Sequence, residues 1–92
     1  MSYIFEASGK TVWSPALRVG KLFVDMADSL SGSHGVPHGL SFMASDFVVL
    51  DVPVFAEFTR SLESSSVLTH QEYRALASGF VEICRTMLAE SP

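Results

Sequence analysis

The last third of the chain carries the clearest alternation of hydrophobic and polar positions. Its apolar residues recur at intervals of three and four, which is typical of one face of an amphipathic helix. Thr69 and Glu72 have the spacing of a capping box. In this motif the threonine oxygen accepts a hydrogen bond from a free amide of the first turn, and the glutamate side chain accepts one from the amide of the threonine. The sequence therefore predicts a long final helix from Thr69 whose apolar stripe is Tyr73, Leu76, Ala77, Phe80, Ile83, Cys84, Met87 and Leu88.

Two short β-prone runs open the chain, and a first helix follows them. Residues 3–7 and 11–13 flank a Ser-Gly-Lys turn, which predicts a hairpin. Ser14 and Pro15 suit the start of a helix, because serine caps the first turn and proline lacks the amide hydrogen that would be unpaired there. We expect this helix to end near Ser31 and Gly32, before a loop at 33–39. Its predicted apolar side comprises Val19, Leu22, Phe23, Met26, Ala27 and Leu30.

The middle of the chain predicts one strand and a second helix. The strand spans Phe47 to Leu50, with a short extended piece as an option before it. Asp51 is placed to cap the helix that follows, and Pro53 suits its first turn. The apolar face of this helix is predicted to be Val52, Phe55, Phe58, Thr59 and Leu62, and the serines at 64–66 are expected to end it.

These elements predict an α+β fold in the order β-β-α-β-α-α, with a small antiparallel or mixed sheet and helices packed on one face. The chain has 92 residues, so a single domain covering 1–92 is expected. The alternative is a mainly helical domain to which the N-terminal hairpin is only an appendage.

Several short motifs are spread along the chain: the aromatic run at 3–5, Trp13-Ser-Pro15, Leu22-Phe23, the Val-Pro-x-Gly loop at 36–39, Thr69-His70 and Gly79-Phe80. Together they resemble a family of short uncharacterised bacterial proteins. The resemblance implies a compact bacterial cytoplasmic domain and transfers no catalytic residues, since the family has no assigned activity.

Composition makes self-association an expectation. Hydrophobic residues form 48% of the chain and charged residues 17%, below the usual charged share of about 25%. A domain this small has little interior for so many large apolar groups. Such aromatic residues usually lie in the core, yet this excess makes some of them candidates for binding a partner. The candidate partner-binding residues are Tyr3, Phe5, Trp13, Phe55 and Phe58.

Charge and cysteine content narrow the class of protein. A net charge of −4 and six scattered basic residues argue against nucleic acid as a partner, because phosphate binding needs clustered Lys and Arg. The sequence contains no run of 18 uncharged apolar residues, so no membrane-spanning helix is predicted. Cys84 is the only cysteine, which favours a reducing cytoplasmic setting.

The candidate chemistry is sparse. His34 and His38 lie in a glycine-rich loop and could point two imidazoles at one metal ion, with Asp46 or a second subunit supplying further ligands. Cys84 and His70 would lie about 20 Å apart on one helix, too far to share a proton. No nucleotide-binding or nucleophile-elbow motif is present in the sequence, and no cofactor is expected.

The sequence therefore favours a non-enzymatic interaction module that is homodimeric and a candidate for binding a protein partner, as an immunity-type or accessory protein does. The alternative is a small ligand- or metal-binding protein, or an enzyme, with a site near His34, His38 and Asp46.

Overall fold

A computed structural model describes residues 2–64 and 70–92. Within these ranges four strands and three helices follow the order β-β-α-β-β-α-α. They are β1 (Ile4–Ala7), β2 (Lys10–Trp13), α1 (Leu17–His34), β3 (Leu40–Ala44), β4 (Phe47–Leu50), α2 (Val52–Ser64) and α3 (Gln71–Glu90).

The strands form one mixed sheet in the order β2-β1-β4-β3. The predicted hairpin is present, and β4 lies beside it in parallel with β1, so that Phe5 is opposite Val48. The amide of Ile4 donates to the carbonyl oxygen of Asp46 at 2.9 Å and begins this parallel pairing. The α+β class with helices packed on a mixed sheet is confirmed, and the hairpin is an integral part of the sheet.

The predicted order omitted one strand, β3. It pairs antiparallel with β4, but it lies at the edge of the sheet and four of its five residues are exposed. A strand that buries almost nothing shows no alternation of apolar and polar residues, so the pattern indicated only an optional extended piece.

Helix α1 begins and ends later than predicted. Ala16 precedes its first residue, while the hydroxyl of Ser14 donates to Ser2 Oγ at 3.0 Å. At its other end the helix continues past Gly32 to His34, and Gly35 adopts the left-handed conformation with φ 68°. The later glycine ends the helix because its amide bonds the carbonyl of Ser31 in the tight turn that left-handed glycine permits.

Helices α2 and α3 follow the expected pattern closely. The amide of Val54 donates to Asp51 Oδ1 at 3.3 Å, so Asp51 caps α2 as predicted. His70 is the residue before α3 and makes no side-chain capping bond, whereas it was predicted inside the first turn. Thr69, the predicted cap of α3, lies outside the described residues.

A continuous line of aromatic rings joins the sheet to all three helices. Phe5 of β1 meets Phe23 of α1 edge-on with ring centroids 5.5 Å apart, and Phe23 stacks on Phe80 of α3 at 4.4 Å. Phe80 in turn meets Phe58 of α2 at 6.2 Å. These four rings are buried, so the core lies between the helices and one face of the sheet.

Tyr3, just before β1, packs closely against α1 at Gly20. The amide of Tyr3 donates to the carbonyl of Pro15 at 2.9 Å, and the Tyr3 ring covers Gly20. A Cβ atom on Gly20 would overlap Tyr3 Cγ, far inside van der Waals contact. Glycine at this position therefore allows strand and helix to approach each other.

Within the described residues, no helix combines the length and the apolar character that crossing a bilayer requires.

Two glycine substitutions on the same helix test this packing. We expect Gly20→Ala to destabilise the protein by about 1–3 kcal/mol, because the added methyl overlaps a ring held by the backbone. Gly32→Ala is the matched control, since a Cβ there meets nothing within 4 Å. It should stabilise the protein by about 0.5–1 kcal/mol through helix propensity. Urea unfolding followed by circular dichroism measures both, and equal effects would contradict the packing described.

Candidate interaction surface

The aromatic residues predicted to bind a partner lie in the core instead. Tyr3, Phe5, Phe55 and Phe58 are buried, and Trp13 is partly buried against Phe5 and Phe23. The prediction of a binding platform is therefore corrected. The rings are enclosed because the three helices pack on the face of the sheet that carries Tyr3 and Phe5.

The two histidines that were predicted to share a loop have separate partners. His38 accepts a hydrogen bond at Nδ1 from the amide of Leu40 at 2.9 Å, so its proton lies on Nε2, which donates to Asp28 Oδ1 at 2.7 Å. His34 Nε2 lies 3.3 Å from the hydroxyl of Tyr73. Both nitrogens of His38 are thus occupied in joining the loop to α1 and β3, and neither remains for a metal ion or a substrate.

The predicted metal ligands do not converge within the described part of the chain. No group of three or more His, Cys, Asp or Glu residues is placed there to hold a metal ion. Asp46 lies in the turn between β3 and β4, where its backbone carbonyl begins the pairing with β1. His34, at the end of α1, bonds to α3 instead.

Cys84 is a core residue rather than a reactive thiol. It has no exposed surface, and burial raises its pKa from 9.0 to about 12, against a smaller opposing effect of the hydrogen bond with Thr59. The nucleophile in cysteine chemistry is the thiolate, which this environment disfavours strongly.

The most exposed apolar surface of the helical layer is a groove between α1 and α3, which we call the α1–α3 groove. Leu22 of α1 is 60% exposed and Leu76 of α3 is 78% exposed. The helices meet through Phe23 and Phe80 toward one end of the groove and through His34 and Tyr73 toward the other. The residues lining the groove are Leu22, Asp25, Met26, Ser29, Leu30, Tyr73, Leu76 and Ala77.

The groove exists because the apolar residues of α1 extend beyond the side of the helix that is buried in the core. The residues that α1 buries are Gly20, Phe23, Val24 and Ala27, so the predicted buried stripe was partly wrong, with Leu22 and Val19 exposed. The sequence held a signal for this. Leu22 has Arg18 four residues before it and Asp25 three residues after it, so its neighbours on the helix surface are charged.

A second, smaller apolar spot lies on the edge strand β3, where Phe42 is 54% exposed and Met43 is 65% exposed. The Phe42 ring leans edge-on toward Tyr3 with centroids 6.4 Å apart. This spot is at the far edge of the sheet from β2.

Comparison with known protein families shows which family the chain belongs to. The model of a family of unknown function, DUF6086, matches residues 1–91. The chain belongs to the DUF6086 family. Its likeness to a family of uncharacterised proteins is thereby confirmed. Neither the curated proteins nor the solved structures contained a match to it.

Substitutions at His38 test its role as a structural clamp in this DUF6086 protein. His38→Ala removes both hydrogen bonds and should lower the free energy of unfolding by about 1–2 kcal/mol. His38→Asn should lose about half as much, because an asparagine oxygen can still accept from the amide of Leu40. Urea unfolding measures the series, with His70→Ala as a neutral control because its side chain makes no capping bond. A His38→Ala variant as stable as the native protein would refute the clamp.

Thiol labelling tests the environment of Cys84. With a pKa near 12, the folded protein at pH 8 holds about a thousandfold less thiolate than the unfolded chain, so labelling by a disulfide reagent should be slower by at least that factor, since the buried thiol must also be exposed to react. Because the buried thiol keeps its proton while the unfolded chain loses it above pH 9, the free energy of unfolding should fall as the pH rises from 9 toward 12. Cys84→Ala should unfold with a weaker dependence on pH in that range. Fast labelling of the native protein at pH 8 would contradict the burial.

Proposed function

We propose that this DUF6086 protein is a non-enzymatic interaction module that forms a homodimer through the α1–α3 groove. The observation that carries the proposal is the exposure of Leu22 and Leu76 on facing sides of one apolar groove. Large side chains exposed together on a small domain are typical of an association surface. Fully burying one leucine stabilises a complex by about 1.5–3 kcal/mol before the cost of association.

The chemistry of the predicted site residues supports binding over catalysis. His38 uses both ring nitrogens in hydrogen bonds, so it has no lone pair for a general base. The thiol of Cys84 is held protonated in the core. The alternative site near His34, His38 and Asp46 loses support as well, because His34 pairs with Tyr73 and Asp46 lies in the turn between β3 and β4.

The proposal places the module in the cytoplasm. Cys84 is the only cysteine and is buried, so no disulfide within the chain contributes to its stability. A fold that depends only on its core is compatible with a reducing compartment.

Polar substitution in the groove tests the proposal. Sedimentation equilibrium of the native protein should show a dimer that dissociates on dilution. Leu22→Ser and Leu76→Ser should each shift the protein to monomer, with little change in the free energy of unfolding of the monomer because both side chains are solvent-exposed in one copy.

The matched control is Met43→Ser, because Met43 is as exposed as Leu22 but lies on β3 away from the groove. It should leave the dimer intact. A native protein that stays monomeric at every concentration, or a dimer that only Met43→Ser disrupts, would refute the proposal.

A further inference from the structure

The charges on the exposed side of α1 change sign along the helix. Arg18 and Lys21 precede the exposed Leu22, and Asp25 follows it. All four lie on the side opposite the buried residues Gly20 and Val24. The surface next to the groove is therefore positive toward the start of α1 and negative toward its end.

Such a helix is complementary to a second copy of itself in the antiparallel direction. With a two-fold axis passing near Leu22, Arg18 lies about 6 Å to one side of the axis and Asp25 about 4.5 Å to the other. In the antiparallel pair, Arg18 of one copy and Asp25 of the other therefore lie at nearly the same level. The two-fold axis repeats this contact, so the interface contains two Arg18–Asp25 pairs.

We propose that the occupant of the α1–α3 groove is helix α1 of a second copy, packed antiparallel about a two-fold axis at Leu22. This inference rests on the proposed function and specifies its geometry. Leu22 of each copy enters the groove of the other, and Arg18 pairs with Asp25 of the partner subunit at both ends of the contact.

The overall charge of the protein favours a contact that brings opposite charges together. Each copy carries a net charge of −4, which gives a weak, salt-screened repulsion between two copies that local pairs of opposite charge offset. Arg18 and Lys21 supply two of the six basic residues of the chain at this surface.

The same arrangement disfavours other partners for the groove. A basic amphipathic helix would meet repulsion from Arg18 and Lys21, and an acidic one would meet repulsion from Asp25. A partner whose charge also reverses along its length meets neither repulsion, and an antiparallel α1 has that reversal.

Asp25 is already oriented along the helix surface. Both of its carboxylate oxygens accept a hydrogen bond from Lys21 Nζ of the same helix at 3.1 Å, while more than half of its side chain stays exposed. A carboxylate has lone pairs for both this lysine and an arginine from the partner subunit. The pairing therefore requires no loss of the bond within the helix.

Charge reversal with complementation tests the geometry. Arg18→Asp and Asp25→Arg, made separately, each place like charges together at both ends of the contact. Each should weaken the dimer about tenfold in sedimentation equilibrium. In an equimolar mixture of the two variants, residue 18 of one meets residue 25 of the other with opposite charges, so a heterodimer of near-native affinity should form.

Arg60→Asp is the matched control, because Arg60 is an exposed arginine on α2 outside the groove. It should change neither the dimer nor the mixture experiment. Circular dichroism of each variant checks that the fold is intact.

The outcomes separate this inference from the proposed function. If Leu22→Ser abolishes the dimer but charge reversal has no effect, or the mixture does not recover affinity, the groove remains the interface and the antiparallel pairing is wrong. If the native protein is a monomer throughout, both proposals fail. Recovery in the mixture together with dissociation of each variant alone supports the pairing.

Discussion

The line of four aromatic rings is the interaction on which the rest of the structure depends. Phe5, Phe23, Phe80 and Phe58 come from the sheet and from each of the three helices, so every layer meets its neighbour through this line. Edge-on and stacked pairs of buried rings contribute beyond the area they remove from water. The remaining core residues, such as Val48 and Leu62, fill space on either side of it.

The aromatic line and the contact at Gly20 together set the rotation of α1. Phe23 must face the core, and Gly20 must face Tyr3, so the side of the helix between them is buried. Leu22 is then directed outward by helical geometry. The exposed groove is thus a consequence of how the core is built, because the contacts that fix the rotation of α1 leave Leu22 in solvent.

Local patterns in the sequence predicted the elements whose apolar residues are buried. The hairpin, the strand at 47–50 and helix α2 were located correctly, and Asp51 caps α2 as its position indicated. The edge strand β3 was only an optional extended piece because its side chains bury little. The candidate surface was not located from the sequence, since periodicity shows that Leu22 lies on an apolar stripe but not which part of a wide stripe the sheet covers.

The parallel pairing of β1 with β4 has a consequence for how the chain assembles. The opening residues form the centre of the sheet and need a strand from the middle of the chain to complete their hydrogen bonds. During synthesis, the backbone hydrogen-bonding groups of β1 on the side away from β2 therefore have no strand partner until β4 has left the ribosome. Closing that long loop costs chain entropy, so we expect slower folding than for a helical bundle of equal size, although most ordered residues are helical.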